Sequence, residues 1–443
     1  MPPPLPRLHR LNTLRVCAEF VVVHCHFYCQ THYAAAGIEE VVSDLMSFFF
    51  VLSGFVGMYS NMHNESLNML GYIAVRFRKT LPLYLGVCVV NSISMCTQGK
   101  FSSEITCPWD VFCAISQFFL IAPWCFCRSS TSLNGAGWYI ATLYWLWFVF
   151  PALHGYLRKW NVKYVWQISV FIWVYITSVW TVVAFTGTIS WESKTFPLFR
   201  LAEFVLGAIV CLPAKQTTSF PMALGSFLVI CAYWILAYIY LIHMPGLWEW
   251  TPSNSCTSIL IDTNMTVVLP WGNNEAYTKL SKVQGKFSIF WAIIIHYTAF
   301  AELEGGNLTA CWLDFDFFKS MSAFSLQLYL LHQNIMSLCM SVTRLIGFPD
   351  FFQMHTYMIM AYAGAYYFYV HVQPRLDKLT HFHCLQQHQN DPYGGSPLDD
   401  GISRGVGHGD EEGVDENRRP RCVFDIQEPE LFPCGSREEE ARL

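Results

Sequence analysis

Residues 164–186, YVWQISVFIWVYITSVWTVVAFT, run for 23 positions without an Asp, Glu, Lys or Arg. A helix needs about 20 mainly apolar residues to cross the hydrocarbon core of a bilayer, so this stretch reads as a transmembrane span. Outward from it, comparable stretches lie at 14–30, 42–60, 80–97, 138–157, 197–212, 221–243, 286–302, 321–343 and 354–372, which makes ten. A further apolar segment, 109–126, is interrupted by Asp110, Gln117 and Pro123 and reads as re-entrant or partial. The expected fold is all-α: a polytopic transmembrane helical bundle of about ten spans.

Composition agrees. The 443-residue chain is 53% hydrophobic, 16% aromatic and only 13% charged, where a soluble domain carries about 25% charged residues. That argues against a soluble enzyme. The charges are also unevenly placed: residues 374–443 hold 8 basic and 15 acidic side chains, against 19 and 17 in residues 1–373. The chain therefore divides into a membrane-embedded domain, 1–373, and an acidic tail, 374–443, too poor in apolar residues to offset its ordering entropy. No strongly basic patch exists, and nucleic acid is not an expected partner.

Basic residues orient the bundle, because they favour the cytosolic side. A cytosolic start with Arg7, Arg10 and Arg15 returns the chain to the cytosol at Arg76, Arg78 and Lys79, and again at Arg158, Lys159 and Lys163, provided 109–126 dips in without crossing. The tail is then cytosolic, and 244–285, with its sequon at Asn264, is the large external loop. The first apolar stretch lacks a small-residue cleavage site and reads as a retained span. Multi-pass insertion is expected, in an endomembrane or the plasma membrane. Most cysteines sit in apolar runs as small hydrophobes; Cys107, Cys113, Cys125 and Cys127 cluster where a disulfide fits an oxidising compartment. No regular Cys/His spacing suggests a metal.

Ionisable groups inside a span are costly and suggest a polar cavity. In LNTLRVCAEFVVVHCHF, residues 11–27, Arg15, Glu19 and His26 share one helical stripe, at about 100° per residue, while His24 points away. Arg15 and Glu19 stand four apart and are placed to pair. The plain alternative for His26 is a polar contact to a neighbouring span. In VRFRKTLPLYLG, residues 75–86, three cations precede Pro82. If that proline occupies an early helical turn, the cations and first-turn amides together suit a phosphate-bearing ligand; the plain alternative is a topology signal. Arg200 and Glu203 are spaced to pair on one face, and Ser325 and His332 lie seven apart on another.

Taken in order, these segments resemble the acyltransferase 3 family of integral-membrane O-acyltransferases, which includes bacterial O-antigen and exopolysaccharide acetylases. LNTLRVCAEFVVVHCHF resembles its opening helix, DLMSFFFVLSGFVG its Phe-Phe-x-Leu-Ser-Gly-Phe signature, and RFRKTLPLY its Arg-x-x-Arg segment before Pro. NGAGWYIATLYWLWFVFPAL, FRLAEFVLG and SAFSLQLYLLH are similar to its three later blocks. The resemblance implies transfer of an acyl group, usually acetyl from acetyl-CoA, to a hydroxyl of a carbohydrate or lipid-linked acceptor at the membrane. It implies His26 as the essential histidine with Arg15 as its partner, and Arg76 with Lys79 as the cation pair. The resulting expectation is catalysis by His26, Arg15 and Glu19. Arg76, Arg78 and Lys79 would bind the acyl-CoA cosubstrate, with no permanently bound cofactor and no metal. The chain departs from the family pattern at Leu143 and Gln373, where many members carry Glu. The rival expectation is a non-catalytic transporter or receptor on the same scaffold.

Overall fold

The computed structural model describes residues 5–30, 38–97, 107–125, 127, 133–185, 194–215, 285–303, 316–347 and 350–376, and among them there is no strand. The principal helices are α1 (His9–Gln30), α2 (Ile38–Ser60), α3 (Met69–Thr97), α4 (Pro108–Phe118), α5 (Gly137–Leu157), α6 (Val165–Phe185) and α7 (Pro197–Val210), followed by α8 (Ser288–Leu303), α9 (Asp316–Ser322), α10 (Ser325–Ile346) and α11 (Asp350–Tyr367), which runs into a π-helical turn at Phe368–Val372. Span 221–243, the external loop with Asn264, and nearly all of the tail lie outside the described residues.

Three stretches, Met69–Thr97, Gly137–Leu157 and Val162–Val183, are long and apolar enough to cross a membrane; Asp44–Ser60 and Ser288–Leu303 are shorter apolar helices. Helices α1 and α10 fall short for an identifiable reason: each carries a polar stripe (Arg15, Glu19 and His26; Gln327, His332 and Gln333) that lowers its mean hydropathy. The outward faces are apolar instead. Val90 and Ile93 of α3, Phe171 and Tyr175 of α6, and Leu338 and Ile359 of the last two helices are all well exposed, as lipid-facing side chains are.

Specific contacts set the helix directions. The start of α1 meets the end of α2, where the Tyr59 hydroxyl donates to the Pro6 carbonyl at 2.9 Å. It also meets the end of α8, where the Glu302 carboxylate accepts from the backbone amides of His9 and Arg10 at 2.6 and 3.0 Å. A carboxylate there satisfies amides that α1 cannot bond internally and opposes its dipole. At the far end of α2, Lys286 pairs with Asp44 at 3.4 Å. Thus α2 and α8 run together, antiparallel to α1.

Helices α2 and α7 are also parallel, and they cross backbone to backbone. A Cβ built on Gly54 would lie 1.9 Å from the Phe204 carbonyl oxygen, and one on Gly207 would lie 1.8 Å from that of Val51. Only glycine permits this approach. Fully buried Phe50, Phe55 and Phe204 line the crossing.

Two expectations are altered or sharpened by the helices themselves. Pro82 lies inside α3, which begins at Met69. The cations Arg76, Arg78 and Lys79 therefore sit mid-helix, and the expected pairing of cations with first-turn amides does not occur. A proline there frees the carbonyl of residue 78 from its helical bond, which a buried bundle tolerates. Segment 109–126 forms the short helix α4, and its 11 residues span about 16 Å. At its inner turn Trp145 Nε1 donates to the Leu120 carbonyl at 2.7 Å. On the return, the Leu133 amide donates to Gln117 Oε1 at 2.8 Å, and Cys113 and Cys127 form a disulfide. Gln117 and Leu133 thus meet close to the start of α5.

Candidate functional site

Helix α1 lies alongside α10 in parallel, joined by polar contacts at three levels. At the lowest, Arg15 Nη2 donates to the Ser322 carbonyl at 2.8 Å. Four residues on, the buried Glu19 carboxyl faces the Ser325 hydroxyl and the Tyr329 backbone amide. At the top, His26 Nδ1 and His332 Nε2 are 2.7 Å apart, with the two rings parallel to within 4°. The stripe read from α1 alone is thus the one that faces α10.

The spacing expected an ion pair between Arg15 and Glu19. The two are electrostatic neighbours, but Arg15 donates to Ser322 at the end of α9, and Glu19 faces Ser325 of α10. Arg15 Nε and Glu19 Oε1 are buried with no hydrogen-bond partner among the described residues. Tyr139 of α5 completes this level; its ring lies 5.5 Å from that of Tyr329, and its hydroxyl is 3.0 Å from Ser53 Oγ.

Proton placement in the histidine pair follows from one carbonyl. His332 Nδ1 is 2.6 Å from the Tyr329 carbonyl oxygen, which can only accept, so Nδ1 carries the hydrogen. With one proton per ring, His332 Nε2 is then an acceptor, and His26 Nδ1 is the donor to it. His26 Nε2 is left as the lone-pair nitrogen of the ring. Neither Glu19 nor Arg15 bonds to His26; His332 orients it.

Ser325 and His332 do not act on each other. Ser325 faces Glu19 and His332 bonds His26, so each serves α1 from the shared face of α10. His24, outside the stripe, donates to its own helix at the Phe20 carbonyl, 2.7 Å away. The importance of His332 was not readable from spacing, because its partner is 306 positions away.

The three cations of α3 are unlike one another. Arg76 lies over the Tyr72 ring, 3.4 Å from its centroid, and donates to the Tyr72 carbonyl at 3.3 Å. Arg78 is half-buried and Lys79 exposed. One turn further on, Thr80 is hydrogen-bonded to Tyr144 of α5, and Tyr84 packs against Gly137 at the start of α5. From Arg76 to Tyr84 the rise is about 12 Å, so the cations stand some two turns below the level of the helix α5 N-terminus.

Arg200 and Glu203 do pair, as their spacing suggested. Arg200 Nη1 contacts both carboxylate oxygens at 3.0 and 3.2 Å, and Ser47 of α2 donates to the same carboxylate at 2.9 Å. The rings of Phe50, Trp138 and Trp180 lie 5.3, 5.8 and 5.3 Å from the guanidinium carbon. This is a closed polar knot that ties α7 to α2 and α5.

No curated protein and no solved structure matches the chain. A family model does, described as an acyltransferase domain and matching residues 8–370, from the start of α1 to the π-helical turn after α11. The stretch it covers contains the α1–α10 seam, the α3 cations and the Arg200 knot alike, and the chain belongs to the acyltransferase 3 family of membrane acyltransferases.

Proposed function

We propose that this protein moves an acyl group, acetyl in the simplest case, from acyl-CoA to a hydroxyl of a carbohydrate or lipid-linked acceptor. The observation that carries this reading is the His26–His332 pair. Acyl transfer to an alcohol needs a base within reach of the hydroxyl proton, and imidazole is the side chain suited to that task near neutral pH. His332, locked by the Tyr329 carbonyl, holds His26 in the tautomer whose Nε2 accepts a proton.

The acceptor hydroxyl gives its proton to His26 Nε2 as its oxygen attacks the thioester carbonyl. The tetrahedral intermediate then collapses, the C–S bond breaks, and the CoA thiolate recovers the proton from His26. Arg76, Arg78 and Lys79 hold the carrier's phosphates on the cytosolic side, and the pantetheine arm climbs along the seam past Arg15 and Glu19. Those two residues act on the carrier's path, about 16 and 10 Å below His26 along α1, and not on the imidazole itself.

Helix direction supports the ten-span topology. Helices α7 and α8 run the same way, since His296 of α8 bonds the Val210 carbonyl while Lys286 sits at the Asp44 end of α2. Equal directions for α7 and α8 are what the expected crossing at 221–243 requires. With that crossing both termini are cytosolic, and the disulfide at Cys113–Cys127 falls on the opposite side.

His26→Ala tests the reading. Transfer of label from radiolabelled acetyl-CoA into membrane lipid or glycan should fall by about 10²–10⁴-fold, with the purified variant still eluting as folded protein. Turnover like that of the unaltered chain removes His26 as base. The rival, a non-catalytic transporter, draws on Leu143, which is buried in α5, and on Gln373, which accepts from Gln327 at 3.4 Å. It predicts no incorporation into any acceptor from the unaltered protein.

A further inference from the structure

The turn that leads into α5 holds a buried donor that no described residue accepts from. Asn134 Oδ1 accepts from the Ala136 amide at 3.1 Å, which fixes the orientation of the carboxamide and turns its NH2 group the other way. Asn134 is 2% exposed, and its Nδ2 has no hydrogen-bond partner among the described residues. A buried amide NH2 left unbonded costs free energy and calls for an explanation. A Cβ at Gly137 would lie 3.1 Å from this nitrogen, so the group stands at the mouth of α5, a 21-residue helix whose first amides and dipole favour negative charge.

A second carboxamide is set the same way. Gln333 Oε1 also accepts from the Ala136 amide, at 3.1 Å, and its own NH2 is likewise turned from that bond. The fit is close: a Cβ at Gly135 would be 2.6 Å from Gln333 Oε1. Gln333 directly follows His332 on α10, so this double clamp and the histidine pair occupy adjacent faces of one helical turn. One shared backbone amide thereby fixes two neutral carboxamides at the start of α5, one of them on the α10 residue next to His332, the partner of the proposed base. Arg15, the cation of the α1 stripe, stands three turns lower than His26 and is held by Ser322.

We infer that Asn134, assisted by Gln333, is the oxyanion donor of the acyl-transfer reaction, a role that rests on the proposed acyl-CoA chemistry. As the acceptor oxygen bonds to the thioester carbon, the carbonyl π pair moves onto oxygen. That oxyanion is received by Asn134 Nδ2–H and Gln333 Nε2–H. When the C–S bond breaks, the pair returns to re-form the carbonyl of the new ester, and no other co-reactant is required. Neutral donors positioned before reaction act most strongly where charge develops in a dry site.

The discriminating substitution is Asn134→Asp, which keeps the oxygen that caps Ala136 and removes the NH2 donor. The expected result is a kcat lower by about 10²–10³-fold with KM for acetyl-CoA within twofold. If Asn134 serves only as the cap, this variant turns over like the unaltered enzyme, and the inference fails. A direct reading uses acetyl-CoA labelled with ¹³C at the carbonyl and bound to His26→Ala, which holds it without turnover. The thioester carbonyl stretch should move to lower frequency on binding, and shift most of the way back toward its solution value in His26→Ala/Asn134→Leu at equal occupancy. An unshifted band in His26→Ala overturns the donor role while leaving acyl-CoA binding intact; absence of acetyl-CoA binding in the unaltered protein overturns both.

Discussion

Two parallel helix pairs in this bundle are built on opposite plans. Between α2 and α7, Gly54 and Gly207 bring backbones together, phenylalanines fill the flanks, and the one ionisable pair nearby, Arg200 with Glu203, is bonded to Ser47 and enclosed by rings. Between α1 and α10 polar contacts recur at three levels beside the apolar cluster of Val16, Val23 and Leu328, and Arg15 Nε, Glu19 Oε1 and Gln327 Oε1 are buried without a hydrogen-bond partner among the described residues. Membrane interfaces of the first kind draw their stability from close packing of small residues. On the proposed function the first pair is the frame and the second lines the site, so substitutions in the two should separate stability from activity.

The largest effect on the frame should come from opening the Arg200 knot. Arg200→Met leaves the Glu203 carboxylate, which is 0% exposed, with Ser47 as its remaining side-chain donor among the described bonds. Removing one partner of a buried ion pair costs about 3–5 kcal/mol. Thermal unfolding in detergent should shift down strongly, and the double variant Arg200→Met/Glu203→Leu should recover much of the loss. A knot that takes part in chemistry would instead show lost transfer at unchanged stability in the double variant.

Next in size is Gly207→Ala. One methyl group placed 1.8 Å from the Val51 carbonyl oxygen forces α2 and α7 apart, and overpacking of this sort costs about 1–3 kcal/mol. The variant should unfold at lower temperature, while the transfer rate of the surviving folded fraction stays near that of the unaltered chain. A folded fraction with full stability and no transfer would erase the distinction between the two helix pairs.

How far the sequence discloses this division depends on the range of the interaction. The α1 stripe needed only helical periodicity, and Arg200–Glu203 only a spacing of three, so both could be read locally. Segment 109–126 declared itself through Asp110, Gln117 and Pro123, which no lipid-exposed crossing would carry. The His26–His332 bond, the meeting of Gly54 with Gly207, and the shared Ala136 amide each join residues more than 150 positions apart, and nothing local marks either end. Pro82 misled for a physical reason. In water a proline after a cationic run reads as a helix start, but in α3 it stands mid-helix, where neighbouring helices support the interrupted turn.

The smallest expected effect tests whether the α3 cations belong to the site or to the frame. Arg76 is stacked on Tyr72, Arg76 and Arg78 are both half-buried, and Lys79 is exposed. If they bind phosphates, Arg76→Gln/Arg78→Gln should weaken acetyl-CoA binding by about tenfold, or 1.4 kcal/mol. Because screening acts on exposed charges over about 10 Å at 0.1 M salt, the unaltered protein should lose affinity as salt rises and the variant should lose less. Arg76→Gln alone should also lower stability, since the ring contact at 3.4 Å disappears with the guanidinium. Affinity that is equal in both proteins, with equal salt dependence, would return these residues to the frame as topology signals and leave the carrier's phosphates to be held elsewhere on the cytosolic face.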